Sequence, residues 1–130
     1  GVVMCGLDNI SRILTHQLVR HRTASYDQER QRFSSAAKEE YVMPTSVRSN
    51  SDASLFYNTY TDSSMAAFSR LRDEYNIPKE DARFVIPHGI KTKLVMTANK
   101  DTYKHVVSMR EGTNAQWEIR ELVTLFKYFL

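Results

Sequence analysis

Two short apolar runs constrain the fold more than any other feature of this sequence. The run "VVMCGL" at residues 2–7 is rich in β-branched side chains, and "GIKTKLVMTAN" at residues 89–99 alternates apolar and polar positions over part of its length, so each is predicted to form a strand. The stretches between and after them repeat apolar residues at helical spacing. This order of strand, helices, strand and helices predicts an α+β fold, a mixed sheet with flanking helices, without internal repeats.

The helical stretches have recognisable ends. Capping side chains are expected from Asp8 or Asn9 at the first helix and from Asp52 at the second, and a later helix is expected to begin at Asn99. A loop leading into a short extended piece is expected over residues 23–33. The predicted helices span residues 10–22, 53–75, 99–110 and 115–130.

Two of these helices carry a prediction about which side chains are buried. In the last helix, within "NAQWEIR", Trp117 is expected in the core, with Glu118 and Arg120 at the surface. The apolar face of the long second helix is expected to comprise Leu55, Phe56, Tyr60, Met65, Phe68, Leu71 and Tyr75.

Composition indicates one globular domain over residues 1–130 in a reducing compartment. Hydrophobic residues make up 42% and charged residues 25%, and the net charge of +3 is too small an excess to favour a nucleic-acid protein. The single cysteine, Cys5, excludes an intrachain disulfide and a CxxC metal site. No apolar run approaches the ~20 residues of a membrane span, and we see no signal peptide. A cytoplasmic location is therefore expected, without membrane or nucleic-acid partners.

The stretch "RHRTASYDQERQRF" at residues 20–33 gathers four arginines and one histidine. Every permanent cation in it is arginine, whose planar guanidinium suits phosphate groups and the carbonyl oxygens of a planar base. The simpler alternative is a surface loop with local ion pairs to Asp27 and Glu29. Anion binding is the favoured interpretation.

Further candidate ligand-binding residues lie elsewhere in the chain. Gln17 precedes the arginine cluster by about one helical turn, and its amide can read a pyrimidine edge. Arg83 precedes an apolar segment ending in proline, and Arg110 lies near a predicted helix end, where a structural role in complementing the helix dipole is equally plausible. No Ser-His-Asp set, zinc cluster or glycine-rich phosphate loop is present in the sequence, so no metal is expected.

The arginine stretch resembles the signature of the flavin-dependent thymidylate synthases, the ThyX family. That signature is an Arg-His-Arg triplet, seven variable positions, usually a serine, and then an arginine and an aromatic residue. The later segments "ARFVIP", "TAN" followed by His105 and Arg110, and "NAQWEIREL" resemble later blocks of the family in the same order. The resemblance covers essentially the whole chain.

The resemblance implies a reaction and an assembly. FAD in its reduced form would accept a methylene group from methylenetetrahydrofolate and pass it to C5 of dUMP, a flavin hydride would complete the methyl group of dTMP, and NADPH would re-reduce the flavin. The family forms a homotetramer with active sites between subunits.

The resemblance also implies site residues, with Arg32 and Arg110 as the catalytic pair acting electrostatically. The residues implied to bind dUMP are Gln17, Arg20, Gln28, Arg30, Gln31, Arg32, Arg83 and Arg110. Those implied to surround FAD are Arg20, His21, Arg22, Thr23, Asp27, Gln28, Asn99, His105 and Asn114.

Three departures from the family pattern limit these expectations. Arg30 stands where the signature has its serine, and Asp101 stands where an arginine is frequent. The N-terminal segment usual in the family is not part of the sequence, which indicates a fragment, a naturally short protein or completion by a partner. We therefore expect the dUMP half of the site to be better kept than the flavin half. The alternatives are a pyrimidine-nucleotide hydroxymethylase of the same family and a catalytically silent nucleotide-binding homologue.

Overall fold

The structure is a computed structural model that describes residues 1–29 and 40–130. The chain divides into two compact units, the first drawn from Gly1–Arg30 and Thr92–Leu130 and the second from Gln31–Lys91. The single catalytic domain expected over residues 1–130 stays a prediction. The strands are β1 (Val2–Ser11), β2 (Ser25–Gln28) and β3 (Lys91–Asn99). The helices are α1 (Arg12–Leu18), α2 (Thr45–Arg48), α3 (Ser51–Asp73), α4 (Lys79–Ala82), a 3-10 turn (Arg83–Val85), α5 (Lys100–Arg110) and α6 (Trp117–Phe129).

The first unit contains a three-stranded sheet in the order β1–β3–β2. Strand β2 runs antiparallel to β3, with Tyr26 opposite Met96 and Gln28 opposite Leu94. Leu94 and Met96 are buried, whereas Lys93 before them is exposed and Val95 between them is only partly buried, so the alternation seen in the sequence marks the face of the sheet that packs on the core. The predicted strand at residues 89–99 is confirmed, as are the short extended piece after the arginine triplet and the general combination of strands with helices.

The first strand is longer than predicted, and this moves the start of α1. Asp8 and Asn9 belong to β1 rather than capping the helix, and Asn9 adopts a left-handed φ of 56° while its N–H donates to Asp8 Oδ1 at 2.8 Å. The N-cap is Ser11, whose hydroxyl oxygen accepts from the N–H of Leu14 at 3.1 Å. The capping prediction was wrong because Ser11 has the β-region backbone of an N-cap and Asn9 does not.

The core of the first unit joins both ends of the chain. The Tyr103 hydroxyl lies 2.8 Å from the carbonyl of Met96 and 3.1 Å from that of Val3, and its ring packs edge-to-face on Phe126 with centroids 5.1 Å apart. Tyr103 thereby connects β1, β3 and α6 through one side chain. The other buried apolar side chains of this core are Ile10, Leu14, Leu18, Leu94, Met96, Ala98, Val106, Ile119, Leu122 and Val123.

Helix α6 was predicted correctly, but the burial predicted for the side chains of its first turn was wrong. Glu118, expected at the surface, is 7% exposed, whereas Trp117 is only half-buried; Arg120 is exposed as expected. Glu118 Oε2 accepts from the N–H of Ser11 at 2.8 Å, and Oε1 accepts from the Ser11 hydroxyl. The carboxylate is buried because two donors at the start of α1 satisfy it.

The second unit is built around α3. Its N-cap is Asn50, whose Oδ1 accepts from the N–H of Ala53 at 3.1 Å, so the prediction that Asp52 caps this helix was wrong. Met65 and Phe68 are buried as predicted, together with Tyr41, Ala82, Ile86 and Ile90. The predicted apolar face was wrong elsewhere, since four of its members are exposed within the described residues: Leu55, Phe56, Tyr60 and Tyr75.

The buried stripe of α3 passes through two polar residues. Thr61 and Ser64 are buried, and their hydroxyls donate to the carbonyls of Tyr57 and Tyr60 at 3.0 and 3.1 Å. Because these hydroxyls are satisfied within their own helix, they can be buried beside Met65 and Phe68. A face of α3 that is predicted from apolar residues alone is therefore rotated about the helix axis relative to the face that is buried.

Candidate functional site

The Arg20-His21-Arg22 triplet lies in the turn that joins α1 to β2. The N–H of His21 donates to the carbonyl of Leu18 at 3.1 Å. The Tyr26 hydroxyl lies 2.9 Å from that same carbonyl and 2.7 Å from the carbonyl of His21. The turn is thus fastened to β2 as well as to α1, while the side chains of Arg20 and Arg22 are exposed.

Arg110, at the end of α5, connects this turn to α1. Its Nε donates to His21 Nε2 at 3.1 Å, and its Nη2 donates to the carbonyl of Gln17 at 3.4 Å. The ring of His105 lies edge-on to that of His21, with centroids 6.5 Å apart. Four predicted site residues from three segments therefore meet in the first unit: Gln17, His21, His105 and Arg110.

The surroundings of His21 favour the neutral form of its ring. Burial is the largest cause that lowers the pKa of His21 below its ordinary value of 6.5, followed by the charge of Arg110 and then by His105. A histidine nitrogen can accept a hydrogen bond from a guanidinium only when it carries no proton. The direction of the pKa shift and the Arg110–His21 hydrogen bond therefore agree.

The two predicted glutamines differ in their surroundings. Gln17 Oε1 is buried, with no hydrogen-bond partner among the residues that the structure describes. Gln28 Nε2 lies 3.3 Å from the hydroxyls of both Thr15 and Thr92. A buried carbonyl oxygen without a donor is costly, so Gln17 carries an acceptor that suits a ligand N–H.

Several other predicted residues have different surroundings. Asn99 Oδ1 accepts from the N–H of Thr102 at 2.8 Å and so caps α5. Asp101, in the first turn of α5, is exposed where a carboxylate complements the helix dipole. Arg83 begins the 3-10 turn of the second unit and is exposed. Thr23, Asp27 and Asn114 are exposed.

Three predicted residues lie outside the described part of the chain. These are Arg30, Gln31 and Arg32.

The contacts also identify residues that the sequence did not single out. Tyr26 and Ser11 anchor the two ends of α1, and Glu118 holds Ser11. The sequence offered weak signals for them, since an aromatic residue in a strand and a serine before a helix are common. Their roles depend on partners that only the fold brings close.

No resident metal is indicated by these contacts. Within residues 1–29 and 40–130, no group of three or more His, Cys, Asp or Glu side chains could hold a metal ion. Over the same residues, no helix is long and apolar enough to cross a membrane.

Residues 2–128 match the sequence model of the family described as thymidylate synthase complementing protein. The chain belongs to this family. The resemblance seen in the arginine stretch and in the later blocks is therefore confirmed.

Individual relatives agree with this family membership. The flavin-dependent thymidylate synthase of Pyrococcus furiosus is 36% identical over 122 residues, which cover 89% of this chain and 49% of the relative. That of Geobacter sulfurreducens is 38% identical over 119 residues, covering 90% of this chain and 51% of the relative. The chain thus spans about half the length of the curated relatives it matches.

A solved structure shares the fold. The crystal structure of thymidylate synthase X from Helicobacter pylori with FAD and dUMP aligns with a TM-score of 0.80 and 20% sequence identity, covering 99% of this chain and 67% of the other. Family membership and fold therefore agree with each other and with the α+β architecture described above.

Proposed function

We propose that this chain is the core of a flavin-dependent thymidylate synthase, which converts dUMP to dTMP with methylenetetrahydrofolate as the methylene donor. The observation that carries the proposal is the cluster of Gln17, His21 and Arg110, drawn from separate segments beside exposed Arg20 and Arg22. The printed names of relatives such as those of Pyrococcus furiosus and Geobacter sulfurreducens support the same activity. Because the chain spans about half of those relatives, its activity is proposed rather than assigned.

Binding of dUMP would use fixed cations and one amide. Arg110 donates from Nε to His21 and from Nη2 to the carbonyl of Gln17, and its guanidinium carries further N–H groups that suit an anion. Gln17 Oε1, which is buried and has no hydrogen-bond donor among the residues that the structure describes, suits the imide N–H of a uracil ring. Arg20 and Arg83 would add charge to the phosphate site. The other residues we propose for dUMP are Gln28, Arg30, Gln31 and Arg32.

The catalytic role proposed for Arg32 and Arg110 is electrostatic. A guanidinium beside the uracil ring would stabilise negative charge that develops when the ring is activated at C5. Neither residue would serve as a nucleophile, because a guanidinium stays protonated at working pH. Arg110 is pre-oriented for this task by its bond to a neutral His21, which adds no competing charge.

FAD is the cofactor that fits the residues around the turn. The exposed guanidinium groups of Arg20 and Arg22 suit its phosphates, and His21 and His105 offer ring nitrogens. When bound, the flavin would supply the carrier and hydride chemistry, with NADPH as its reductant. The chain's own residues would bind it, orient it and exclude water. The further residues proposed for this role are Thr23, Asp27, Gln28, Asn99 and Asn114.

A homotetramer with active sites between subunits is part of the proposal. Arg20, Arg22 and Thr23 are exposed in the single chain, so a second copy would complete the enclosure of a ligand bound there. The lone Cys5 and a nucleotide substrate fit the cytoplasm, which remains the proposed location.

The absorption spectrum of the purified protein tests the cofactor and the substrate together. We expect a flavin spectrum that added dUMP perturbs, and oxidation of NADPH that depends on dUMP. A colourless protein that never oxidises NADPH with dUMP present would contradict the enzyme and favour the silent nucleotide-binding homologue.

Calorimetric titration with dUMP and with FAD tests which half of the site is better kept. We expect dUMP to bind even where FAD binds weakly, since Asp101 is exposed where the family frequently has an arginine. Tight FAD binding without dUMP binding would contradict this expectation.

One alternative activity is favoured by a single observation. Arg30 replaces the serine of the family signature, and a larger charged side chain would change the pocket beside the pyrimidine. A hydroxymethylase would use the same flavin and folate. Mass spectrometry of the product separates the two, because a hydroxymethyl group is heavier than a methyl group.

A further inference from the structure

Tyr26 makes contacts that neither its strand position nor the proposed chemistry requires. It lies on β2 opposite Met96, and its ring packs against the core of the first unit. Its hydroxyl oxygen lies within hydrogen-bonding distance of two carbonyl oxygens, 2.9 Å from that of Leu18 and 2.7 Å from that of His21. Burial raises the pKa of Tyr26, so the hydroxyl remains a donor at neutral pH.

These two carbonyls bracket the turn that carries the arginine triplet. Leu18 is the last residue of α1, and the last carbonyls of a helix lack partners within it. The Leu18 carbonyl also accepts from the N–H of His21, so the Tyr26 hydroxyl and the His21 N–H meet at one acceptor. A single side chain thus ties the helix end and the far end of the turn, with Arg20 between them.

His21 is consequently held at two places by different segments. Tyr26 holds its main-chain carbonyl from β2, and Arg110 holds its ring nitrogen from α5. We infer that Tyr26 is a positioning residue, whose hydroxyl fixes the Leu18–His21 turn so that the His21 ring stays in hydrogen-bonding reach of Arg110. Its effect on ligand binding rests on the proposed function, since that function places His21 beside the flavin.

The substitution Tyr26→Phe isolates this role because it removes the hydroxyl and keeps the ring in the core. A matched control is Tyr57→Phe in the second unit, where a half-buried tyrosine also donates to a backbone carbonyl, that of Val42, at 2.6 Å. Both variants lose a hydroxyl bonded to the main chain, so both are expected to lose some stability. Only the first should affect His21.

The primary measurement is the NMR titration of the His21 ring, assigned with a His21→Asn variant. In Tyr26→Phe we expect the pKa of His21 to rise towards its ordinary value, because the ring moves away from Arg110 and into solvent. In Tyr57→Phe it should stay where it is in the unchanged protein. The secondary measurement is FAD affinity by fluorescence, expected to fall about fivefold to tenfold in Tyr26→Phe and to change less than about twofold in the control.

The outcomes separate this inference from the proposed function. If both variants lose stability while His21 titrates as before in each, Tyr26 is only a structural residue and the inference is overturned. A rise of the His21 pKa in Tyr26→Phe supports the positioning role whatever the FAD result. This rise could be accompanied by an unchanged FAD affinity, or by an unchanged protein that binds no FAD. That result would instead contradict the placement of His21 beside a flavin.

Discussion

Buried polar side chains in the first unit and in helix α3 of the second unit find their partners in different ways. In the first unit, Arg110 bonds His21 across 89 sequence positions, and Glu118 bonds Ser11 across 107. In the second, the buried hydroxyl of Thr61 donates to the carbonyl of Tyr57, four residues earlier in the same helix. The cluster in the first unit therefore depends on distant segments meeting, whereas the buried hydroxyls of Thr61 and Ser64 are satisfied within α3 itself.

This difference predicts how substitutions act. A change in the polar contacts of the first unit should disturb the candidate site and stability together, because the same bonds serve both. A change in the second unit's core should act through the loss of apolar packing. The predictions below test this division, from the largest expected effect to the smallest.

The largest effect is expected from Phe68→Ala in the second unit. Phe68 is 1% exposed in its core, and truncation of a buried phenylalanine removes transfer free energy and leaves a cavity. We expect the free energy of unfolding to fall by about 4 kcal/mol, measured by urea denaturation. The control is Phe56→Ala on the same helix, where the side chain is 76% exposed and the change should stay within about 0.5 kcal/mol. Comparable losses in both variants would contradict the buried stripe assigned to α3.

A smaller loss is expected from Glu118→Ala in the first unit. The substitution leaves the N–H and hydroxyl of Ser11 buried without their acceptor, and hydrogen bonds to a charged group contribute more than neutral ones. We expect the free energy of unfolding to fall by about 3 kcal/mol. Glu121→Ala provides the control, since Glu121 is exposed on the same helix and its loss should change stability by about 0.5 kcal/mol or less. Equal losses of unfolding free energy in the two variants would mean that the hydrogen bonds from Glu118 to Ser11 do not stabilise the folded chain.

The fate of Glu118 shows why some of the structure was predictable and some was not. The existence of the main helices and strands and the alternation at Leu94 and Met96 follow from local spacing and were confirmed, although the first strand and first helix have other bounds than predicted. Helical spacing also placed Glu118 at the surface, because periodicity records which residues are apolar and not which polar groups find partners. Its partner Ser11 lies at the other end of the first unit's sequence.

The candidate site divides in the same way. Residue types in the arginine stretch, and the family resemblance, identified Gln17, His21 and Arg110 before any contact was known. That these three meet depends on α5 returning to the end of α1, which no local pattern encodes. Tyr26 was missed because its anchoring role lies in its hydroxyl, whereas strand patterns report only its ring.

The third prediction concerns Arg110 and ligand affinity. Arg110→Ala removes the donor to His21 Nε2 and a cation proposed to contact dUMP, while the half-buried position tolerates a smaller side chain. We expect dUMP affinity to fall about 30-fold by calorimetry, since charge-assisted hydrogen bonds are the stronger kind. Arg120→Ala removes an exposed arginine from α6 and should change affinity less than about twofold. Unchanged dUMP affinity in Arg110→Ala would remove Arg110 from the proposed substrate site.

The smallest effect is expected from the titration of His21. Because burial, Arg110 and His105 lower its pKa in the folded chain, the unfolded chain takes up a proton on His21 at a higher pH than the folded chain does. The stabilisation from His21 is therefore complete above its ordinary pKa of 6.5 and is lost as the pH falls through the lower folded value. The measurement is the difference in unfolding free energy between the unchanged protein and His21→Asn, followed from pH 8 to about pH 5.

We expect that difference to be constant above the ordinary pKa and to shrink below it, because a protonated ring can no longer accept from Arg110. Arg110→Ala in the same background supplies the decisive comparison, since it removes both the donor and one of the charges that lower the pKa of His21. With alanine at position 110, the folded pKa of His21 should lie closer to its ordinary value, so the pH dependence attributable to His21 should still begin at the ordinary pKa but be weaker and end at a higher pH. A difference that instead grows as the pH falls would mean that the folded chain prefers His21 charged, which is incompatible with an imidazole accepting from a guanidinium.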